Sequence, residues 1–265
     1  MTLRSGTRLL ALATLSAACG GGRSAGTAAG APAPVSRVSE TASAATVDSL
    51  WKEGEWAVRH GKWGDAVKLL ERVLLEVQPG DSRIAQAHFW LGEAYFARGS
   101  HLEGVREFRK ASDETPNHPI APEALLRAGD VYADLWRRPE LDPTYGQTAL
   151  ATYQELLNRY PASSPSKRAQ QRMAELNERF AYKAYKSAIF YFRLKAYDSA
   201  ILYLKDLIAT YPKAAIAPEA LVKLVEAYRK LGYREDVQET CDYIRRFHPQ
   251  APGATEVCPT DAAGA

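Results

Sequence analysis

Leu91-Gly92-Glu93-Ala94-Tyr95-Phe96-Ala97-Arg98-Gly99, continued by Phe108, Ala111 and Pro116, is the stretch that decides the fold. Gly92 on an apolar helical face lets a second helix approach closely. The larger groups at Tyr95, Phe108 and Ala111 fill the space beside it. Gly99 marks the turn between two helices, and Pro116 cannot continue a helix interior, so it stops the second one. Two amphipathic helices joined by a short turn form one hairpin.

The same signature recurs along the chain, which makes it a repeat of the tetratricopeptide (TPR) type. An earlier unit carries Gly54, Ala57, Gly61, Ala66, Leu70 and Val73 in register. A third opens with Leu125, Ala128-Gly129 and Tyr132 and closes with Ala149, Tyr153, Leu156 and Pro161; it is interrupted by an insertion near 137–144. The fourth has Ala184, Ala188, Tyr191, Ala200, Leu204, Leu207 and Pro212, and the fifth Leu221, Leu224, Tyr228, Gly232, Val237, Cys241, Ile244 and Pro249. Each hairpin leaves an apolar face that only the next can cover. The expected fold is therefore all-α: a TPR solenoid of about five helical hairpins, with ten main helices near 47–60, 63–77, 84–98, 101–114, 120–136, 144–160, 165–194, 197–210, 216–231 and 234–247. The seventh contains no Gly or Pro between Ser166 and Arg193 and is too long for one hairpin arm, so it reads as a connecting helix. It divides the scaffold into an N-terminal block, 47–161, with three repeats, and a C-terminal block, 162–249, with two. Residues 250–265 read as a frayed tail.

The N-terminus has a different character. Arg4 and Arg8 precede the apolar run Leu9–Leu15, and small residues lead to Cys19. A basic start, a short apolar core and small residues form an export signal over 1–18. The run is too short to span a bilayer. Leu15-Ser16-Ala17-Ala18-Cys19 resembles the bacterial lipobox, which implies that Cys19 is lipidated and becomes the first residue of the mature chain. More than one acyl chain is needed for stable attachment, and a diacylated, N-acylated cysteine, palmitate-bearing, meets that need. By resemblance to the sorting rules of enterobacterial lipoproteins, Gly20 in place of an aspartate implies the outer membrane. Residues 20–46, rich in Gly, Ala, Ser, Thr and Pro, cannot bury enough surface to fold and read, with Cys19, as a tether (19–46) reaching about 30 Å.

The formal charge of +3 falls to +1 once Arg4 and Arg8 leave with the signal. A near-neutral chain argues against nucleic acid as the main partner. Cys241 and Cys258 are the other two cysteines. An exported chain permits a disulfide between them; two unpaired thiols fit the sequence equally well. The five histidines are scattered, and no nucleophile motif, phosphate-cradling glycine loop or metal-ligand spacing is present. No cofactor, metal or catalytic residue is expected, and the chain does not read as an enzyme.

In this type of repeat the concave wall is built from fixed positions of each first helix. In the N-terminal block these hold Trp51, Arg59, Phe89, Glu93, Phe96, Leu126, Asp130 and Asp134, an apolar strip flanked by charges that suits a peptide. Trp51, Phe89 and Phe96 equally suit packing between hairpins. In the C-terminal block the positions hold Tyr182, Tyr185, Ile189, Phe192, Arg193, Val222, Glu226, Arg229 and Lys230. Tyr95, Tyr132, Tyr191 and Tyr228 share one repeat position and read as core.

Two stretches, Tyr145–Pro161 and Leu176–Pro212, together with the lipobox, resemble the BamD family, the tetratricopeptide lipoproteins of the outer-membrane β-barrel assembly machine. That resemblance implies a non-catalytic scaffold at the periplasmic face of the outer membrane. It implies a BamA-like barrel insertase docked on the C-terminal block, other assembly lipoproteins as neighbours, and unfolded outer-membrane protein segments as possible cargo. Arg193, Arg229 and Lys230 would meet acidic groups of the insertase, with more effect on encounter rate than on affinity. The chain departs from the family in its long low-complexity tether and in a first repeat that ends Gln78-Pro79-Gly80. Two other readings fit the sequence: a periplasmic TPR adaptor for peptidoglycan or other envelope proteins, and a substrate-binding or pilotin-like lipoprotein.

Overall fold

The computed structural model describes residues 36–259, with side chains from 46 onward. The signal peptide, Cys19, most of the tether and residues 260–265 lie outside the described residues. The chain divides into Met1–Glu40 and Thr41–Ala265, and the hairpins belong to the second unit.

The described helices are α1 (Ser36–Arg59), α2 (Trp63–Glu76), α3 (Arg83–Ala97), α4 (His101–Asp113), α5 (Ala121–Leu135), α6 (Thr144–Arg159), α7 (Ser164–Arg193), α8 (Tyr197–Thr210), α9 (Ala217–Leu231), α10 (Arg234–Phe247) and the single turn α11 (Ala254–Val257). The ten main helices fall where the repeat places them. One boundary differs: α1 begins at Ser36, not at 47. Its first turns, Ser36 to Thr46, contain neither Gly nor Pro. Once the amphipathic part downstream has nucleated, extending the helix backward costs little, so the low apolar content that suggested a tether does not stop it.

Close approach within each hairpin rests on missing side chains. A Cβ on Gly92 would stand 2.6 Å from the Phe108 ring, one on Gly129 2.4 Å from Tyr153, and one on Gly146 2.3 Å from Trp136. Phe108, Tyr153 and Trp136 are fully buried against these bare backbones. Small residues complete the seams: Ala57 and Ala66 between the first two helices, Ala188 and Ala200 in the fourth hairpin. Turns use glycine where the backbone needs positive φ, as at Gly99 (81°) and Gly232 (77°). Lys195 takes the same conformation with φ 60° between α7 and α8, a strain an ordinary side chain tolerates at modest cost.

First helices of successive hairpins pack on one another, α3 on α5, α5 on α7 and α7 on α9. Second helices α4 and α6 are instead bridged by long side chains, Arg109 to Glu155 at 2.9 Å and Arg159 to Asp113 at 2.7 Å. The tighter side is the inner wall, so α3, α5, α7 and α9 form it. The 30 residues of α7 serve both halves. Its first turns and middle (Ala169, Leu176, Phe180) join the core of Trp136, Tyr153 and Leu156. Its later turns (Tyr185, Ala188) join that of Leu204, Leu207 and Leu224. Ser163 caps its N-terminus, the hydroxyl accepting from the Ser166 amide at 3.3 Å. The insertion after α5 is held onto α7 by Lys183, whose ammonium donates to the carbonyls of Glu140 and Leu141 at 3.4 and 2.9 Å.

The expected frayed tail is a packed cap as far as Cys258. Ala251, Ala254, Val257 and Cys258 are buried against Leu221, Val222, Val225 and Ile244, the face of the last hairpin that another repeat would otherwise cover. Cys241 and Cys258 form a disulfide 17 residues apart. Small apolar residues spaced around one helical turn carry this cap, a signal too short to show as periodicity. Closing a loop of this length contributes about 3 kcal/mol by restricting the unfolded chain. Cys258→Ser is therefore expected to lower the melting temperature, and reductant should lower that of the wild type by a similar amount while leaving the variant unmoved.

Candidate partner-binding surface

The inner wall of the N-terminal hairpins is a chain of alternating charges. Glu93 on α3 accepts two bonds from the Arg127 guanidinium on α5, from Nε at 2.6 Å and from Nη2 at 3.0 Å. The same guanidinium lies 5.2 Å from the Phe96 ring and 5.7 Å from Phe108, a stacking that suits Arg better than Lys. Its charge state is held firmly, the pKa raised first by the Glu93 hydrogen bonds. Asp130, one turn further along α5, stands 3.6 Å from Arg127 and 3.4 Å from Arg172 on α7. It accepts the buried Tyr153 hydroxyl at 2.7 Å, and burial with the Asp130 charge pushes that phenol's pKa up. Arg172 also pairs with Glu175 at 3.2 Å.

Glu93 and Asp130, both expected on the concave wall, are there, but they are spent on cross-hairpin bonds. Trp51 is half-buried and stacks on Trp90 at 4.8 Å. Phe89 packs against Phe108 at 5.5 Å, and Phe96 meets His101 at 5.3 Å. These aromatics fill the spaces between helices while keeping one partly exposed side. Arg59 is exposed and pairs within its own helix with Glu55. Tyr185, another expected wall residue, is buried and donates to Glu219 at 2.5 Å.

The C-terminal basic group differs. Arg193 lies in the last turn of α7, and Arg229 and Lys230 in the last turn of α9. Cations there complement the helix dipoles. All three are exposed, and among the described residues none forms an ion pair. Close by, Lys223 lies 5.8 Å from the Phe192 ring and pairs with Glu226.

Sequence reasoning missed Arg127, Tyr153, Arg172 and Arg179. A usable signal existed: Glu93 and Arg127 are 34 residues apart, as are Tyr185 and Glu219, so complementary groups at that spacing mark contacts between neighbouring first helices. It also missed a buried pair on the other side of the second hairpin. His88 Nδ1 donates to Glu107 at 2.6 Å, and Lys110 donates to the same carboxylate at 2.9 Å. Alongside, the Tyr95 hydroxyl donates to Glu71 at 2.6 Å, and that carboxylate pushes the phenol up to about 12.

No group of three or more His, Cys, Asp and Glu among the described residues could hold a metal ion, and no described helix is long and apolar enough to cross a membrane. An array of helical hairpins with an alternating-charge inner wall and exposed cations at its helix ends defines the class: a TPR-like repeat protein. The chain belongs to the YfiO family, described as outer membrane lipoprotein, whose pattern matches residues 43–243. It is similar to the outer membrane protein assembly factor BamD of Vibrio cholerae, 29% identical over 201 residues and covering 72% of this chain and 83% of that one. The BamD of Neisseria meningitidis serogroup A is 26% identical over 232 residues, covering 82% of this chain and 84% of its own length. Among solved structures, a thermophilic TPR protein of Thermus thermophilus superposes with a TM-score of 0.36 at 19% identity, covering 77% of this chain and 92% of that one.

The buried pair gives a test of how the second hairpin is held. Burial alone would raise the Glu107 pKa, but the bonds from His88 and Lys110 outweigh it and hold the carboxyl below its ordinary 4.5. A folded pKa below the unfolded one stabilises the fold above 4.5 and loses that contribution as the pH falls through the lower, folded value. Glu107→Gln should cost about 1–3 kcal/mol at neutral pH, and urea unfolding should show the gap from wild type closing in acid. A gap that stays constant down to the acid limit would contradict this.

Proposed function

We propose that this chain is a lipid-anchored scaffold of outer-membrane barrel assembly, tethered through Cys19 to the periplasmic face of the outer membrane. Its C-terminal block docks a BamA-like barrel insertase, and its inner wall receives extended segments of unfolded barrel proteins. The family supports the coarse role, a scaffold in outer-membrane protein assembly. One observation supports the docking end: among the described residues Arg193, Arg229 and Lys230 form no ion pair, while Glu93, Arg127, Asp130 and Arg172 of the inner wall are spent on each other. An exposed cation with no partner keeps its long-range field available for an acidic surface, which speeds encounter. Trp51, Phe89 and Phe96 offer partly exposed rings for apolar side chains of a segment in transit, and Arg59 is exposed in the last turn of α1.

The test is capture of tagged protein after crosslinking in cells. The insertase should co-purify with the wild type and be lost when Arg193 and Arg229 are both changed to Glu. Raising ionic strength should weaken the wild-type association in the same direction. Recovery of peptidoglycan or division proteins without the insertase would overturn this role in favour of an envelope adaptor. A Cys19→Ser chain should fractionate away from the outer membrane.

A further inference from the structure

On the inner wall, a cleft of about 220 Å³ opens between α5, α6 and α7, lined by Arg127, Asp130, Asp134, Tyr153, Arg172 and Arg179 among others. Its size suits one side chain or chain end, and its walls are polar. Three guanidinium groups line it, and two are committed: Arg127 to Glu93 and Asp130, Arg172 to Asp130 and Glu175. Arg179 has no ion pair among the described residues.

Arg179 is nevertheless held in place. Its guanidinium lies 4.6 Å from the ring centroid of Trp136, a side chain only 1% exposed, and Nη1 donates to the Ala133 carbonyl at 3.4 Å. Trp136 in turn is pinned by Phe180 at 4.4 Å and by the bare backbone of Gly146. A guanidinium stacked on a buried indole has lost much of its rotamer freedom already, so ordering it on binding costs less. Its Nη2 and Nε donors have no protein acceptor among the described residues. A planar cation fixed on one side, with free donors at the mouth of a one-group cleft, has the geometry that receives a carboxylate in a two-bond fork.

We propose that Arg179 is the seat for a carboxylate of a polypeptide bound along the inner wall, either an acidic side chain or the chain's own C-terminus. The inference rests on the reading of that wall as a peptide-binding surface. Arg127 and Arg172 shape the cleft and hold its depth; Arg179 supplies the recognition. Asp134 lines the same cleft and has no ion pair among the described residues, so its charge opposes an incoming carboxylate and sets a limit on affinity.

The experiment places a photo-crosslinking residue at the exposed Glu175 on the cleft's rim in the full-length protein in cells, sequences the crosslinked peptide, and resynthesises it in three forms: unaltered, with its acidic side chains as amides, and with an amidated C-terminus. Binding of each to the wild type and to Arg179→Met, Arg179→Lys and Asp134→Asn is measured by fluorescence anisotropy. Loss of one particular carboxylate should weaken binding on the order of tenfold, and Arg179→Met should weaken binding of the unaltered peptide equally while making that amidation silent. Which amidated form is affected distinguishes a side chain from a chain end. Arg179→Lys should recover part of the affinity, and Asp134→Asn should raise it. The Met variant keeps the stem that covers Trp136; if it nevertheless unfolds, the Lys and Asn variants carry the test. Absence of any crosslinked peptide, or amidated peptides binding as well as the original, overturns the proposal. Retention of the insertase by Arg179→Met in the same cells shows that the scaffold role stands independently of this seat, and absence of the insertase from wild type would remove that role without touching the peptide result.

Discussion

The array depends on three places where an aromatic ring lies against a helix that has no side chain to meet it. Gly92 admits Phe108, Gly129 admits Tyr153 and Gly146 admits Trp136, each at a distance where a single methyl group would collide. These contacts set how close the helices of hairpins two and three come, and therefore how their outer faces sit against the next hairpin. The consequences reach the surface. Tyr153 can bond Asp130 only because its ring crosses beneath Gly129, and Trp136 can support Arg179 only because its ring is seated under Gly146. Core packing and the placement of side chains on this wall are therefore one arrangement.

Neighbouring hairpins are then locked by groups that the apolar pattern leaves unassigned. The sequence Ile-Ala-Pro-Glu-Ala-Leu stands at both 120–125 and 216–221 and opens α5 and α9. Its proline suits the first turn of a helix, where an amide has no partner to lose. Its glutamates, Glu123 and Glu219, both reach to α7, one to Arg168 at the start of that helix and the other to Tyr185 near its end. A single long helix is thus gripped at two points by the same device, which fits its role as the element shared by both cores. Most of these pairs are partly exposed, so each is worth little alone; their regular placement matters more for register than for stability.

Helix placement was legible because each apolar face and each turn residue is local: Gly99, Gly232 and the prolines at 116, 161, 212 and 249 each follow a helix end by one to three residues. What the sequence hid was of two kinds. Ser36–Thr46 lacks bulk, so it read as a tether, yet nothing in it breaks a helix. The cap over α9 and α10 is only a few small residues and a cysteine whose pairing the chain alone left open. At the surface, position in the repeat located Glu93 and Asp130 on the wall but not their commitments, because an ion pair is a property of two helices and the repeat describes one at a time. Arg193, Arg229 and Lys230 stand exposed in the last turns of their helices, and among the described residues no ion-pair partner answers them.

Hydrogen–deuterium exchange on the full chain, free and in complex with the barrel insertase, tests the central claim most directly, that this scaffold carries its partner on the basic edge formed by the last turns of α7 and α9. Slower exchange on complex formation is expected in the segments that end at Arg193 and at Lys230, with the wall around Glu93 and Arg127 unchanged. Protection confined to the α3–α5 wall, or none at the basic edge, would contradict it.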